Sequence, residues 1–151
     1  MSPRALQMEE APAARRAAPM NEPYTHRTVL EEEAVRLLVT DPAGLYLDAT
    51  VGLGGHSEAL LKATAPEARL LGTDLDPEAL DAARTRLKPF GERAKLLREN
   101  FRDLAAVLER ERFFPLAGAL FDLGVSSLQL DKRSRGFSFQ GEGPLDMRLD
   151  P

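Results

Sequence analysis

The chain has 151 residues, 43% apolar and 29% charged, with a formal net charge of −4, which fits one packed domain and argues against wholesale disorder and strong non-specific attraction to nucleic acid. It has no cysteine, and its two histidines, His26 and His56, lie far apart, so neither a disulfide framework nor a metal site is expected. No stretch approaches the roughly 20 apolar residues that cross a bilayer and no apolar core of a secretory signal opens the chain, so the expectation is a cytoplasmic protein with no membrane partner.

Residues 1–23 are rich in Ala, Pro and charge without periodicity, including Ala11-Pro12-Ala13-Ala14-Arg15-Arg16-Ala17-Ala18-Pro19, and read as a disordered N-terminal extension. Met20, just before the first patterned segment, is a candidate alternative translation start. Order is expected from Thr28, where Thr28-Val29-Leu30-Glu31 has capping-box spacing and Val29, Ala34, Val35, Leu37 and Leu38 follow a helical period up to Asp41-Pro42. Gly44 to Ala49 then reads as a short strand running straight into the glycine turn Thr50-Val51-Gly52-Leu53-Gly54-Gly55. Ser57 to Thr64 reads as a helix stopped by Pro66, and Ala68 to Thr73 as a second strand with Asp74 at its end. Asp76 as N-cap and Pro77 at the first helical position open a helix whose inner face is Leu80, Ala83 and Leu87. A third strand at Lys95 to Arg98, a helix at Arg102 to Arg112 and a fourth strand at Leu116 to Phe121, ending at Asp122, complete the series. From there to Pro151 the pattern stops, and the segment reads as mostly loop.

Strict alternation of strand and helix implies a parallel sheet covered on both faces, with ligands beyond the carboxyl ends of its strands. Asp48, Asp74 and Asp122 fall at or close to those ends. Glycines after the first strand permit a tight turn and let backbone amides approach a nucleotide, and Asp74 is placed to accept hydrogen bonds from two ribose hydroxyls. The dinucleotide fingerprint would need glycine at position 57, where the chain has Ser57. Asp48, four residues before Gly52, instead resembles the first motif of class I methyltransferases, in the form D-x-x-x-G-x-G. This favours S-adenosyl-L-methionine over a nicotinamide cofactor. Lys132, Arg133 and Arg135 form one basic cluster, either a local RNA contact or a solvated loop.

More specific words follow: Leu120-Phe121-Asp122-Leu123-Gly124-Val125-Ser126-Ser127-Leu128-Gln129-Leu130-Asp131, Arg135-Gly136-Phe137-Ser138-Phe139 and Gly143-Pro144-Leu145-Asp146-Met147-Arg148. Together with His26-Arg27-Thr28-Val29-Leu30, Gly54-Gly55-His56-Ser57, Asp74-Leu75-Asp76-Pro77 and Asn100-Phe101, they closely resemble the RsmH family, also called MraW, over residues 24–151. That family methylates the exocyclic N4 amine of a cytidine in small-subunit (16S) ribosomal RNA. The chain departs from it mildly, with Leu128 where Pro is usual and Leu149 where Met is usual.

The resemblance implies a class I S-adenosylmethionine-dependent methyltransferase sheet of Rossmann-like α/β type, incomplete at the C-terminus. Residues 24–123 would be its first half, and 124–151 an active-site segment leading into a helical insertion. It implies that Gly54, Gly55 and His56 line the methionine and ribose side of the cofactor, that Asp74 holds the ribose and that Phe101 packs on adenine. Asp122 and Gln129 would complete the pocket near the sulfonium, and Asp122 is also the candidate acceptor for the proton of the target amine. Phe137 or Phe139 is a candidate to stack on the flipped base, core packing being the other reading for both. An incomplete sheet would leave an unpaired edge, so a marginally stable chain is expected. Two other readings stay open: a nicotinamide-dependent oxidoreductase, and a truncated, non-catalytic remnant that binds cofactor.

Overall fold

The computed structural model describes residues 30–138 and 142–150. The expected extension, the predicted cap Thr28 and Phe139 therefore lie outside the described residues. Helix α1 spans Glu31–Leu38, two residues later than a cap at Thr28 would start it; Leu30 precedes it in a left-handed conformation (φ 53°) and makes no side-chain cap. Val35 and Leu38 pack on the core, whereas Leu37, expected on the same face, points outward and is 74% exposed.

The series continues as β1 (Leu45–Asp48), α2 (Gly55–Ala63), β2 (Arg69–Asp74), α3 (Pro77–Leu87), β3 (Ala94–Arg98), α4 (Leu104–Glu111) and β4 (Leu116–Leu120). Each begins or ends where local chemistry dictates. Asp76 caps α3, its side chain accepting from the Glu78 amide with Pro77 at the first helical position. Gly54 takes φ 82° at the start of α2, a conformation costly to any residue with a Cβ. The segment after β4 is less irregular than its composition implied: a short helix, α5, spans Ser127–Asp131, and a 3-10 turn follows at Arg133–Arg135. Its signal was legible in Ser126-x-x-Gln129, which forms a complete capping box.

All four strands are parallel, in the order β3-β2-β1-β4. Successive residues of a strand face opposite ways, so Tyr46 and Leu70 pack with Leu60, Leu61 and Leu87 on the α1/α2/α3 side, while Leu47 and Leu71 pack with Leu104, Val107 and Phe113 on the α4 side. The chain winds outward from β1 through β2 to β3, then returns to lay β4 on the opposite side of β1. A crevice must open between β1 and β4, where the following loops diverge.

Arg93 fastens the far end of this layer. Its guanidinium donates to the carbonyls of Ala68 (3.1 Å), Leu61 (3.0 Å) and Ala65 (2.9 Å) and to the Thr64 hydroxyl (3.1 Å), satisfying acceptors that the end of α2 would otherwise leave unpaired. Arg93→Met should lower the unfolding free energy in a urea titration by about 1–3 kcal/mol. Arg84→Met, which removes an exposed pair with Asp81, should change it by less than about 1 kcal/mol.

Candidate functional site

The crevice beyond the strand ends encloses a cavity of about 370 Å³, enough for a nucleoside-sized ligand. Gly52, Gly55 and His56 line it from the glycine turn and the start of α2, Asp74 from the end of β2, Phe101 from the turn after β3, and Asp122 from the end of β4. Ser126 and Gln129 close it from the α5 side.

The acids at the strand ends have different fates. Asp48 is buried, 1% exposed; it accepts a hydrogen bond from the Ser57 hydroxyl at 2.6 Å and from the Thr50 amide at 3.2 Å. It does not line the cavity but ties the end of β1 to α2. Burial pushes its carboxyl above the ordinary 3.8, the Ser57 and Thr50 hydrogen bonds pulling partly back. Asp74 is held from two sides, Oδ2 accepting from the Gly52 amide (2.8 Å) and Oδ1 from the Asp76 amide (2.9 Å). Each oxygen keeps further acceptor capacity. Asp122 is the open one: its side chain is 61% exposed and stands 3.6 Å from Nδ1 of His56, while its amide donates to the Thr50 hydroxyl at 2.7 Å.

Of the residues predicted for the site, Gly55, His56, Asp74, Phe101, Asp122 and Gln129 meet at this cavity. Gly54 does not line it: a Cβ there would lie 3.3 Å from Cα and Cβ of Ala83, so this glycine serves the turn and the approach of α3. Phe101 is 44% exposed, not a core aromatic, and meets Phe121 edge to face at 6.5 Å. The Oε1 of Gln129 accepts from the Ser126 amide (2.9 Å), which fixes this side chain at the start of α5. Phe137 is buried, 9% exposed, and away from the cavity lining, so stacking of Phe137 on a base is set aside in favour of core packing.

The basic cluster is divided. Arg133 is exposed, but Lys132 pairs with Glu78 at 2.7 Å, and Arg135, 7% exposed, pairs with the fully buried Asp76 at 2.9 Å. Neither a solvated loop nor an RNA contact describes Arg135. Nothing in its neighbouring sequence signals this; only the docking of the segment on α3 does. Ser57, which stands where a dinucleotide site would need glycine, spends its hydroxyl on Asp48, so the glycine turn gives the nicotinamide reading no support. Among the described residues no group of three or more His, Asp or Glu is gathered to hold a metal ion, and no helix is long and apolar enough to cross a membrane.

A parallel sheet in this order, with an acid at the end of β2 facing a glycine turn, is a Rossmann-like fold, the fold shared by the class I methyltransferases. Among solved structures, the chain resembles a putative rRNA methylase from Clostridium thermocellum (TM-score 0.53, 18% identity, covering 67% of this chain and 54% of that one) and an O-methyltransferase from Bacillus cereus (TM-score 0.52, 16% identity, 60% and 43%). The sequence narrows this further: residues 23–151 match the MraW methylase family, and the chain belongs to it. Proteins named ribosomal RNA small subunit methyltransferase H are similar to it, from Dehalococcoides mccartyi with 48% identity over 128 residues and from Heliobacterium mobile with 50% over 129. Each alignment takes in 85% of this chain but only 37% and 41% of those relatives, so the chain spans about two fifths of their length.

The buried carboxyl of Asp48 sets a pH dependence. Between 3.8 and its raised folded-state value, the folded chain keeps a proton that the unfolded chain has released, so this group's stabilisation is lost as pH rises through that window. Asp48→Asn should flatten the fall in urea midpoint as pH rises above about pH 4, relative to the unsubstituted chain.

Proposed function

We propose that the chain forms the cofactor-binding part of an S-adenosylmethionine-dependent methyltransferase that acts in the cytoplasm on the exocyclic N4 amine of a cytidine in small-subunit (16S) ribosomal RNA. The observation that carries this reading is one cavity that brings together Asp74, Phe101 and the His56–Asp122 pair. Residues 30–123 supply the sheet side of that site and residues 124–138 and 142–150 the segment that covers it. The names of the similar proteins supply the RNA part of the proposal.

The residues present fit the cofactor. The carboxylate of Asp74, fixed by two backbone amides, is preorganised to accept from ribose hydroxyls, and the exposed face of Phe101 suits an adenine ring. Gly55 and His56 begin α2, whose N-terminal partial charge favours the carboxylate of an amino acid. The Gln129 amide nitrogen closes the same side as a donor. When bound, S-adenosylmethionine supplies an activated methyl on a sulfonium.

The protein's part is alignment and proton handling. A cytosine amine is a poor nucleophile because its lone pair is delocalised into the ring. Asp122, exposed at the end of β4, accepts hydrogen bonds from that amine and takes its proton as the new bond forms. Thr50 holds the backbone of Asp122 in place, and His56 stands beside the carboxylate. The remaining acceleration comes from holding amine and methyl in line at near-attack distance.

Calorimetric titration of the 151-residue chain should give saturable binding of S-adenosylmethionine and none of NAD. Asp74→Ala should weaken that binding about tenfold or more through the loss of hydrogen bonds to a charged acceptor. NAD bound in preference would sink the reading. In a chain extended to the length of its relatives, Asp122→Asn should slow methylation of small ribosomal subunits by about 10²–10⁴-fold. Undiminished turnover in that variant would remove Asp122 from the chemistry.

A further inference from the structure

The segment after β4 covers one side of the cavity, and the guanidinium of Arg135 ties it to the start of α3. Arg135 Nη2 stands 2.9 Å from Asp76 Oδ2 and Nη1 3.5 Å from Glu78, charge pairs in which Asp76 Oδ2 and Nη1 make no aligned hydrogen bond. The same Nη2 donates to the carbonyls of Arg148 (3.3 Å) and Leu149 (3.2 Å), while the Arg135 carbonyl accepts from the Met147 amide (3.1 Å). Leu149 lines the cavity, as does Gln129 on α5, a few residues before Arg135. The backbones of the two stretches lie in close contact here. A Cβ on Gly136 would fall 2.2 Å from the Pro144 carbonyl oxygen, and one on Gly143 2.3 Å from that of Arg133. Residues 126–136 and 143–149 thus form one unit.

The other half of the contact is Asp76, which is fully buried. Its Oδ1 caps α3, its Oδ2 meets Arg135, and its backbone amide holds Asp74 Oδ1. One residue therefore joins the acid on the sheet side of the cavity to the segment carrying Gln129 and Leu149 on the opposite side. Lys132–Glu78 lies nearby but is exposed, where such pairs contribute little. A buried pair differs, because separating its members leaves an uncompensated charge away from water.

We infer that the Arg135–Asp76 ion pair is the lock that holds the Gln129/Leu149 side of the cavity against the Asp74 side, and that Arg135 is a positioning residue for whatever the cavity binds. The identity of that ligand rests on the methyltransferase reading; the lock does not. With the pair closed, the segment moves as one body with α3, and ligand release requires the pair to open or the whole unit to shift.

The experiment uses Asp76→Asn, which keeps an equally good helix cap while removing the charge, Arg135→Met, which keeps the length, and the double variant. Hydrogen exchange is followed at the amides of Gln129, Leu130 and Lys132 in α5 and its end, and of Met147, all hydrogen-bonded in the closed form. Each single variant should raise exchange at these amides by at least about tenfold while leaving the β2 amides of Leu70 to Thr73 protected. The double variant, with no lone buried charge, should recover much of the protection. The same proteins are titrated with S-adenosylhomocysteine, whose dissociation constant should rise about tenfold in each single variant. Unchanged exchange at positions 129–132 and 147 in both single variants overturns the lock. Equal loss of protection across β2 also overturns it, since the pair then supports the fold as a whole. Faster exchange with an unaltered dissociation constant overturns the positioning role. Should the unsubstituted chain bind no S-adenosylhomocysteine while exchange responds as expected, the cofactor reading fails and the lock is supported.

Discussion

Strand β1 is hydrogen-bonded on both sides, to β2 and to β4, and its residues Tyr46, Leu47 and Asp48 are buried. Every functional feature depends on that placement. Because the chain leaves β1 toward β2 and β3 and later returns on its other edge, the loops after β1 and β4 separate and open the crevice. A strand so placed must be apolar on both faces, which is why Leu45 to Leu47 read as a continuous run and not as an alternation. Its polar terminus, Asp48, is tolerated because Ser57 and Thr50 satisfy it, and that satisfaction also aims the start of α2 at the cavity.

Three acids that look alike in sequence are separated by their surroundings. Asp48 has no solvent and a raised pKa, so it serves structure. Asp74 is immobilised by amides on both oxygens and presents fixed acceptors, a geometry suited to hydroxyl groups. Asp122 is exposed beside His56 at the cavity. A fourth, Asp76, was expected as a helix cap and is one, but its second oxygen also anchors Arg135. The division of labour follows from burial and partners, not from position at a strand end.

The segment after β4 shows how far composition misleads. Its Gly, Ser and Pro content reads as loop, yet Ser126 and Gln129 cap a short helix, and Gly136 and Gly143 are there because backbones pass within contact of one another. Polar and basic residues that suggested a wet surface are partly internal: Arg135 is buried, while Leu123, Val125 and Leu145 of the same segment are exposed. Such an inversion is stable only because the charge meets a partner inside.

The sequence by itself determined the alternation of strands and helices, the glycine turn, the cap at Asp76 and six residues of the cavity lining, Gly55, His56, Asp74, Phe101, Asp122 and Gln129. These are signals of short reach: a period of two or 3.6 residues, a cap three positions from its partner, and a family's words in order. The tertiary structure alone decided that Leu37 faces outward, that Gly54 serves the turn and not the cavity, that Phe137 is core, and that Arg135 belongs to the interior. Each of these depends on which distant residue arrives opposite, and that is fixed by strand order and by the docking of the last segment on α3. A side chain's charge is local, but the dielectric and the partner that give it a role are properties of the folded chain.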